Sequence, residues 1–145
     1  MNLYIAFIIS ILNIASPSPT IKKDPFIGLA FSGKASYYGV YLHGRKTANG
    51  EVMDKDKYTC AHKTLPFGTM IEVKNPVNQK CVIVRVNDRG PYVKGRVLDI
   101  SYAAARDIEM IRRGVITIEA RVVGENGQVA EENQNAELVD SEVNK

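Results

Sequence analysis

Residues 80–92 read Lys80-Cys-Val-Ile-Val-Arg-Val-Asn-Asp-Arg-Gly-Pro-Tyr92. The first seven positions are rich in β-branched residues and predict a strand over 80–86. That strand runs straight into Asn87-Asp88-Arg89 and breaks at Gly90-Pro91, where each residue type favours a turn. Working outward, Thr69–Lys74 is a second β-branched run, and Asn75-Pro-Val-Asn-Gln79 between the two is a hairpin-type loop. Gly33–Val40 and Tyr58–His62 read as short strands, the latter ended by the turn-like Leu65-Pro-Phe-Gly68. Arg96–Ile100 is another strand candidate. Ser101 can cap a helix whose apolar positions Ala104, Ala105, Ile108 and Ile111 follow helical spacing, with Gly114 suited to its stop. Val115–Val123 is the last strand. About six strands and one helix in roughly 90 residues point to a compact barrel or sandwich with a helix over one opening. Periodicity does not choose between the two.

The 145-residue chain is 45% hydrophobic and 24% charged, which suits one ordinary globular domain with additional ends. Its formal charge of +3 is unevenly spread. Residues 1–20 carry no charged side chain, residues 124–145 hold six acids against one Lys, and the middle, 21–123, is therefore +8. A basic middle favours polyanionic partners. The apolar stretch Leu3–Leu12 has the length of a signal-peptide core and is followed by Ser16-Pro-Ser-Pro19, so 1–20 is expected to be an export signal. A peripheral N-terminal helix is the alternative, because no Lys or Arg precedes the stretch and no A-x-A site follows it. No Cys follows either, so no lipid anchor is expected. Residues 21–32 read as a linker, 33–123 as the folded domain, and 124–145 as an acidic disordered tail. Cys60 and Cys81 are too few for a disulfide scaffold or a four-ligand zinc site. There is no G-x-S-x-G, P-loop, H-E-x-x-H or Cys-x-x-Cys, and His43 and His62 lack ligand-like spacing. Neither metal nor cofactor is expected, and no nucleic-acid recognition motif is present.

Among the polar residues, Asp99 stands between Leu98 and Ile100, where an acid is uncommon; the helix start that follows is the plainer explanation. Glu51 closes the loop Thr47-Ala-Asn-Gly-Glu51, and His62 ends a short strand. Taken singly, one is a solvated loop acid and the other a polar strand end. Glycosidic cleavage, however, needs a carboxylic acid held protonated near neutral pH and neighbours that bind sugar hydroxyls. Asp88, Asp99, Glu51 and His62, with Tyr37, Tyr38, Tyr92 and Tyr102 as stacking faces, could supply such a site, although many small domains hold a similar set.

Five blocks in one order narrow this. Gly33-Lys-Ala-Ser-Tyr-Tyr-Gly39, His43-Gly-Arg-Lys-Thr-Ala-Asn-Gly-Glu51, Ala61-His-Lys-Thr-Leu-Pro66, Val84-Arg-Val-Asn-Asp-Arg-Gly-Pro-Tyr92 and Val97-Leu-Asp-Ile-Ser-Tyr-Ala-Ala-Ala105 together resemble the rare lipoprotein A (RlpA) family of endolytic peptidoglycan transglycosylases. The resemblance implies a mainly β fold, a six-stranded double-psi β-barrel with one or two short helices. It implies cleavage of the β-1,4 bond between N-acetylmuramic acid and N-acetylglucosamine, on strands stripped of stem peptides, leaving 1,6-anhydro ends. By the same resemblance Asp88 would be the general acid. Glu51 and His62 would position the sugar or relay a proton, and Asp99 would stabilise charge at C1 or replace Asp88. Tyr37, Tyr38, Asn87, Arg89 and Tyr92 would bind substrate.

Three departures accompany it. Tyr37 stands where the family often has Trp, no lipidation Cys is present, and an acidic tail stands in place of a C-terminal glycan-binding repeat. Cys60 and Cys81 occupy positions where the family favours small residues. In an oxidising periplasm they would either pair, closing a loop worth about 3 kcal/mol, or remain two buried thiols. The expected protein is exported to the periplasm or envelope and monomeric, with peptidoglycan glycan as its partner. The rival reading is a non-catalytic, expansin-like wall-binding module.

Overall fold

The β-branched runs become strands because every second side chain finds the same interior. Val82, Val84 and Val86 face inward from one strand and meet Ile71 and Val73 of its neighbour, all 9% exposed or less. The computed structural model describes residues 24–131. Its elements are β1 (Ala30–Tyr37), a 3-10 turn (Val40–Leu42), β2 (Thr59–Ala61), β3 (Met70–Lys74), β4 (Cys81–Asp88), β5 (Arg96–Ile100), α1 (Tyr102–Asp107), β6 (Ile116–Glu125) and β7 (Gln128–Val129).

The strand order is β1-β5-β2-β4-β3-β6-β7, and β1 also pairs with β6, which closes the first six strands into a barrel. Closure decides between barrel and sandwich. Pairs β1–β5 and β2–β4 are parallel and the others antiparallel. The interior is filled by Leu98, Ile100, Ile118 and Val122, with Ala104, Ala105, Ile108 and Met110 covering one opening. Three consecutive alanines let α1 lie close to the barrel, and Ser101 caps it by accepting from the Ala104 amide at 3.3 Å.

Several boundaries differ from the sequence reading. The first strand begins at Ala30, so the barrel starts inside the expected linker. The helix ends at Asp107 rather than near Gly114, because Glu109 takes a left-handed φ of 58° and turns the chain out of the helix. The fold also passes position 123. Asn126 and Gly127 have φ of 52° and 77° between paired Glu125 and Gln128, the geometry of a two-residue hairpin, so 124–129 is not part of a tail. Gly124 is required there, since a Cβ would stand 1.9 Å from the Gln128 carbonyl oxygen. The expected export signal, and the tail from 132 onward, lie outside the described residues.

The disulfide pairing of Cys60 and Cys81 is not formed, and both are free thiols, Cys60 buried and Cys81 exposed. Register explains it. Cys60 pairs with Val86, and Cys81 lies five residues back along β4, about 17 Å away, well beyond disulfide reach. Burial pushes the Cys60 thiol pKa up, which adds chemical inertness to inaccessibility. An aromatic disulfide reagent should therefore label one thiol per folded chain, at Cys81, and two after denaturation without reductant; a single label after denaturation would contradict the assignment.

Candidate functional site

The site is built where β2 ends. Ala61 is in register with Asp88 of β4 on one side and Asp99 of β5 on the other. Two strand spacings put the acids' Cα atoms about 10 Å apart. The register shifts between Cys60 and Ala61, so that Val86 and Asp88 are paired while Asn87 is skipped. Such a bulge re-aims side chains at the end of a strand. Arg85 and Asn87 thereby both reach the loop carrying Glu51.

That loop is a tight turn. Thr47 and Gly50 amides donate to the Glu51 and Thr47 carbonyls, and Asn49 Oδ1 accepts from the Thr47 hydroxyl and the Glu51 amide. The Asn49 amide donates to the Asn87 carbonyl, which seats the turn on the end of β4. Arg85 donates through Nη1 and Nη2 to the two Glu51 oxygens at 2.7 and 2.8 Å, a bidentate pair, while Asn87 and Asn49 donate to the same carboxylate at 3.2 and 2.9 Å. These hydrogen bonds, the Arg85 guanidinium foremost, hold the Glu51 carboxyl down from 4.5 to about 2 against a smaller opposing effect of burial. Glu51 is an ionised anchor at neutral pH, not a proton donor.

The anchored turn delivers the Ala48 amide to Asp88. Asp88 Oδ1 accepts from Ala48 N at 2.9 Å and Arg89 N at 2.8 Å, and Oδ2 accepts from the Tyr38 hydroxyl at 3.0 Å. Three donors from three segments fix this carboxylate. Burial, followed by the charge of Asp88, pushes the Tyr38 hydroxyl pKa far up, so it stays protonated and remains a donor. Asp99 is 15% exposed and accepts from the Ser36 hydroxyl and from an Arg96 guanidinium at 3.4 Å.

The other candidates face different partners. The His62 ring accepts at Nδ1 from the Thr64 and Leu65 amides and packs edge-on to Phe31 with centroids 5.5 Å apart. Burial, then the charges of Arg89 and Lys63, lowers its pKa, so it is neutral with the proton on Nε2. No hydrogen bond joins the ring to Glu51, Asp88 or Asp99 among the described residues. Arg89 donates to the His62 and Leu65 carbonyls and lies 3.8 Å over the Phe67 ring, which clamps the 62–67 turn. Tyr37 donates to the Ile111 carbonyl, and its ring packs edge-on to Tyr102 and against the core. Tyr92, by contrast, is 80% exposed.

Sequence reasoning missed two residues. Arg85 reads as one polar position in an apolar strand, yet it fixes Glu51. Tyr41, 76% exposed, packs over Gly39, where a Cβ would meet its ring at 2.2 Å. The glycine just before the Val40–Leu42 turn was the available signal. Tyr41 and Tyr92 thus leave open aromatic faces in the segments that follow Tyr38 and Asp88.

A closed six-stranded barrel with this pairing is a double-psi β-barrel. A family model described as "Lytic transglycolase" matches residues 30–120, and the chain belongs to that family. It is 58% identical over 103 residues to a probable endolytic peptidoglycan transglycosylase RlpA of Aquifex aeolicus, covering 71% of this chain and 44% of that one. It is 45% identical over 111 residues to the endolytic peptidoglycan transglycosylase RlpA of Vibrio cholerae, covering 77% and 42%. The resemblance read from the five sequence blocks is therefore borne out, and the chain spans less than half the length of these relatives. Among solved structures, Streptomyces papain inhibitor superposes with a TM-score of 0.54 at 26% identity, over 66% of this chain and 94% of that one. A Clavibacter michiganensis expansin does so with a TM-score of 0.53 at 23% identity, over 66% and 51%, a likeness of fold.

The Arg85–Glu51 pair sets a pH dependence. A carboxyl depressed in the folded state stabilises it above the unfolded value, and that stability is lost as pH falls from about 4.5 through about 2. Arg85→Ala should raise the Glu51 carboxyl toward the ordinary range in a carbon-detected NMR titration and move the onset of acid unfolding to higher pH. An unchanged Glu51 titration would refute the clamp.

Proposed function

We propose that this domain is an endolytic lytic transglycosylase that cleaves peptidoglycan glycan between N-acetylmuramic acid and N-acetylglucosamine. The observation that carries the reading is Asp88, a carboxylate fixed by Ala48, Arg89 and Tyr38 within a short stretch of the exposed Tyr92 ring. The names of the relatives, endolytic peptidoglycan transglycosylases, support it.

In the proposed reaction, protonated Asp88 gives its proton to the bridging oxygen as the C1–O bond breaks. The muramyl C6 hydroxyl then closes onto C1 and returns its proton to the Asp88 carboxylate. No water is consumed, and a 1,6-anhydro end is left. One residue serves as acid and then base, as general acid–base catalysis allows. The enclosed Asp99 stabilises positive charge developing at C1. Glu51, pinned as a carboxylate, acts on the geometry of the Ala48 turn and not as a proton relay. Neutral His62 and Arg89 shape the 62–67 wall, while Tyr92 and Tyr41 offer faces to sugar rings. Peptide-free strands are the expected substrate, the cell envelope the site of action, and a monomer the working form.

Purified protein incubated with amidase-stripped sacculi should release products ending in 1,6-anhydro-muramic acid, read by mass spectrometry. Asp88→Asn should lower that release by about 10²–10⁴-fold with glycan binding retained. Binding without any cleavage by the unmodified protein would place it with expansin-like wall-binding modules instead.

A further inference from the structure

A basic concavity stands apart from Glu51, Asp88 and Asp99, none of which lines it. That concavity is an open cleft of about 650 Å³ between the β3–β4 loop, the turn after α1 and the first residues of β6. It is lined by Lys34, Arg112 and Arg113, none of which forms a salt bridge among the described residues. The one acid on its wall, Glu109, is neutralised by Lys80 at 2.6 Å. Among the described residues the cleft therefore presents three cations without a salt-bridge partner. Between them stand exposed apolar side chains, Val77 at 80% and Val115 at 45%. It lies at the far end of β4 from Asp88, since the β3–β4 loop precedes Cys81; eight strand residues put about 23 Å between the two ends.

Residues 131–142 read Glu-Glu-Asn-Gln-Asn-Ala-Glu-Leu-Val-Asp-Ser-Glu, five acids interspersed with Ala136, Leu138 and Val139. The chain leaves the fold beside β6, where the Ala130 amide donates to the Val123 carbonyl, and β7 runs antiparallel to β6, toward Ile116 and Thr117 at the cleft. From Val123 to Thr117 is about 20 Å along an antiparallel strand. A chain spans at most about 3.3–3.6 Å per residue, so Glu137 can just reach the cleft from Glu131, and Asp140 and Glu142 reach it with slack. Charge, exit direction and length agree.

We propose that the basic cleft binds the chain's own acidic segment, with Asp140 and Glu142 opposite Arg112 and Arg113. The contact screens the cations of this pole and leaves Asp88, at the other pole, uncovered. The proposal stands independently of the reading of Asp88.

The test uses the full chain, isotope-labelled, at low salt. Glu137→Gln, Asp140→Asn and Glu142→Gln combined should shift the amide and guanidinium resonances of Arg112 and Arg113 and the amide of Thr117. Ala48 and Arg89, at the other pole, should not move. Raising salt to about 0.5 M should move the unmodified protein's resonances toward those of the variant, because exposed ion pairs are screened over a few ångströms there. A synthetic peptide of residues 131–142 added to the variant should reverse the shifts. Unchanged Arg112 and Arg113 resonances in the variant would overturn the proposal. So would shifts that depend on protein concentration, which would assign the cleft to a second copy.

Discussion

Strand β2 is three residues long, fully buried, and paired on both sides, parallel with β4 and antiparallel with β5. This double pairing is the constraint on which the rest of the site depends. It puts Ala61 between Asp88 and Asp99 and sets their separation at two strand spacings. The bulge opposite Ala61 turns Asn87 toward the Glu51 loop and leaves Asp88 to take the amide that this loop presents. Slipping β2 by one residue would exchange the faces of its side chains and dismantle all three relations at once.

Around that frame, charged side chains are divided by task. Glu51 spends its charge on Arg85 and holds a turn in place, whereas among the described residues Asp88 is held by neutral donors. A bidentate ion pair fixes geometry, and amide and hydroxyl donors fix a carboxylate without placing a formal cation against it. The two poles of the barrel differ in the same way. One carries carboxylates and open aromatic faces, the other guanidinium groups and valines.

Much of the barrel was legible because its strands are β-branched runs bounded by strong turn residues, as at Asn75–Gln79 and Gly90-Pro91. The site residues were legible as five ordered blocks; their roles were less so. Arg89 and Tyr37 are polar or aromatic in sequence, but the partners that occupy them, Leu65 and Ile111, lie 24 and 74 residues away. Arg85 was overlooked because its meaning lies in a pairing across 34 residues. The Glu125–Gln128 hairpin is written in Asn126-Gly127, a strong hairpin dipeptide, but the acidic, polar composition around it reads as a tail. The helix stop at Glu109 had no such signal, since a glutamate seldom adopts positive φ.

The central claim is that glycan is handled at the Ala61 register point and not at the basic pole. Backbone resonances of full-length Asp88→Asn protein, titrated with a peptide-free glycan oligosaccharide, test it directly. The account predicts shifts at Tyr38, Tyr41, Ala48, Ala61 and Tyr92. Shifts confined to Lys34, Arg112, Arg113 and Thr117 would contradict it.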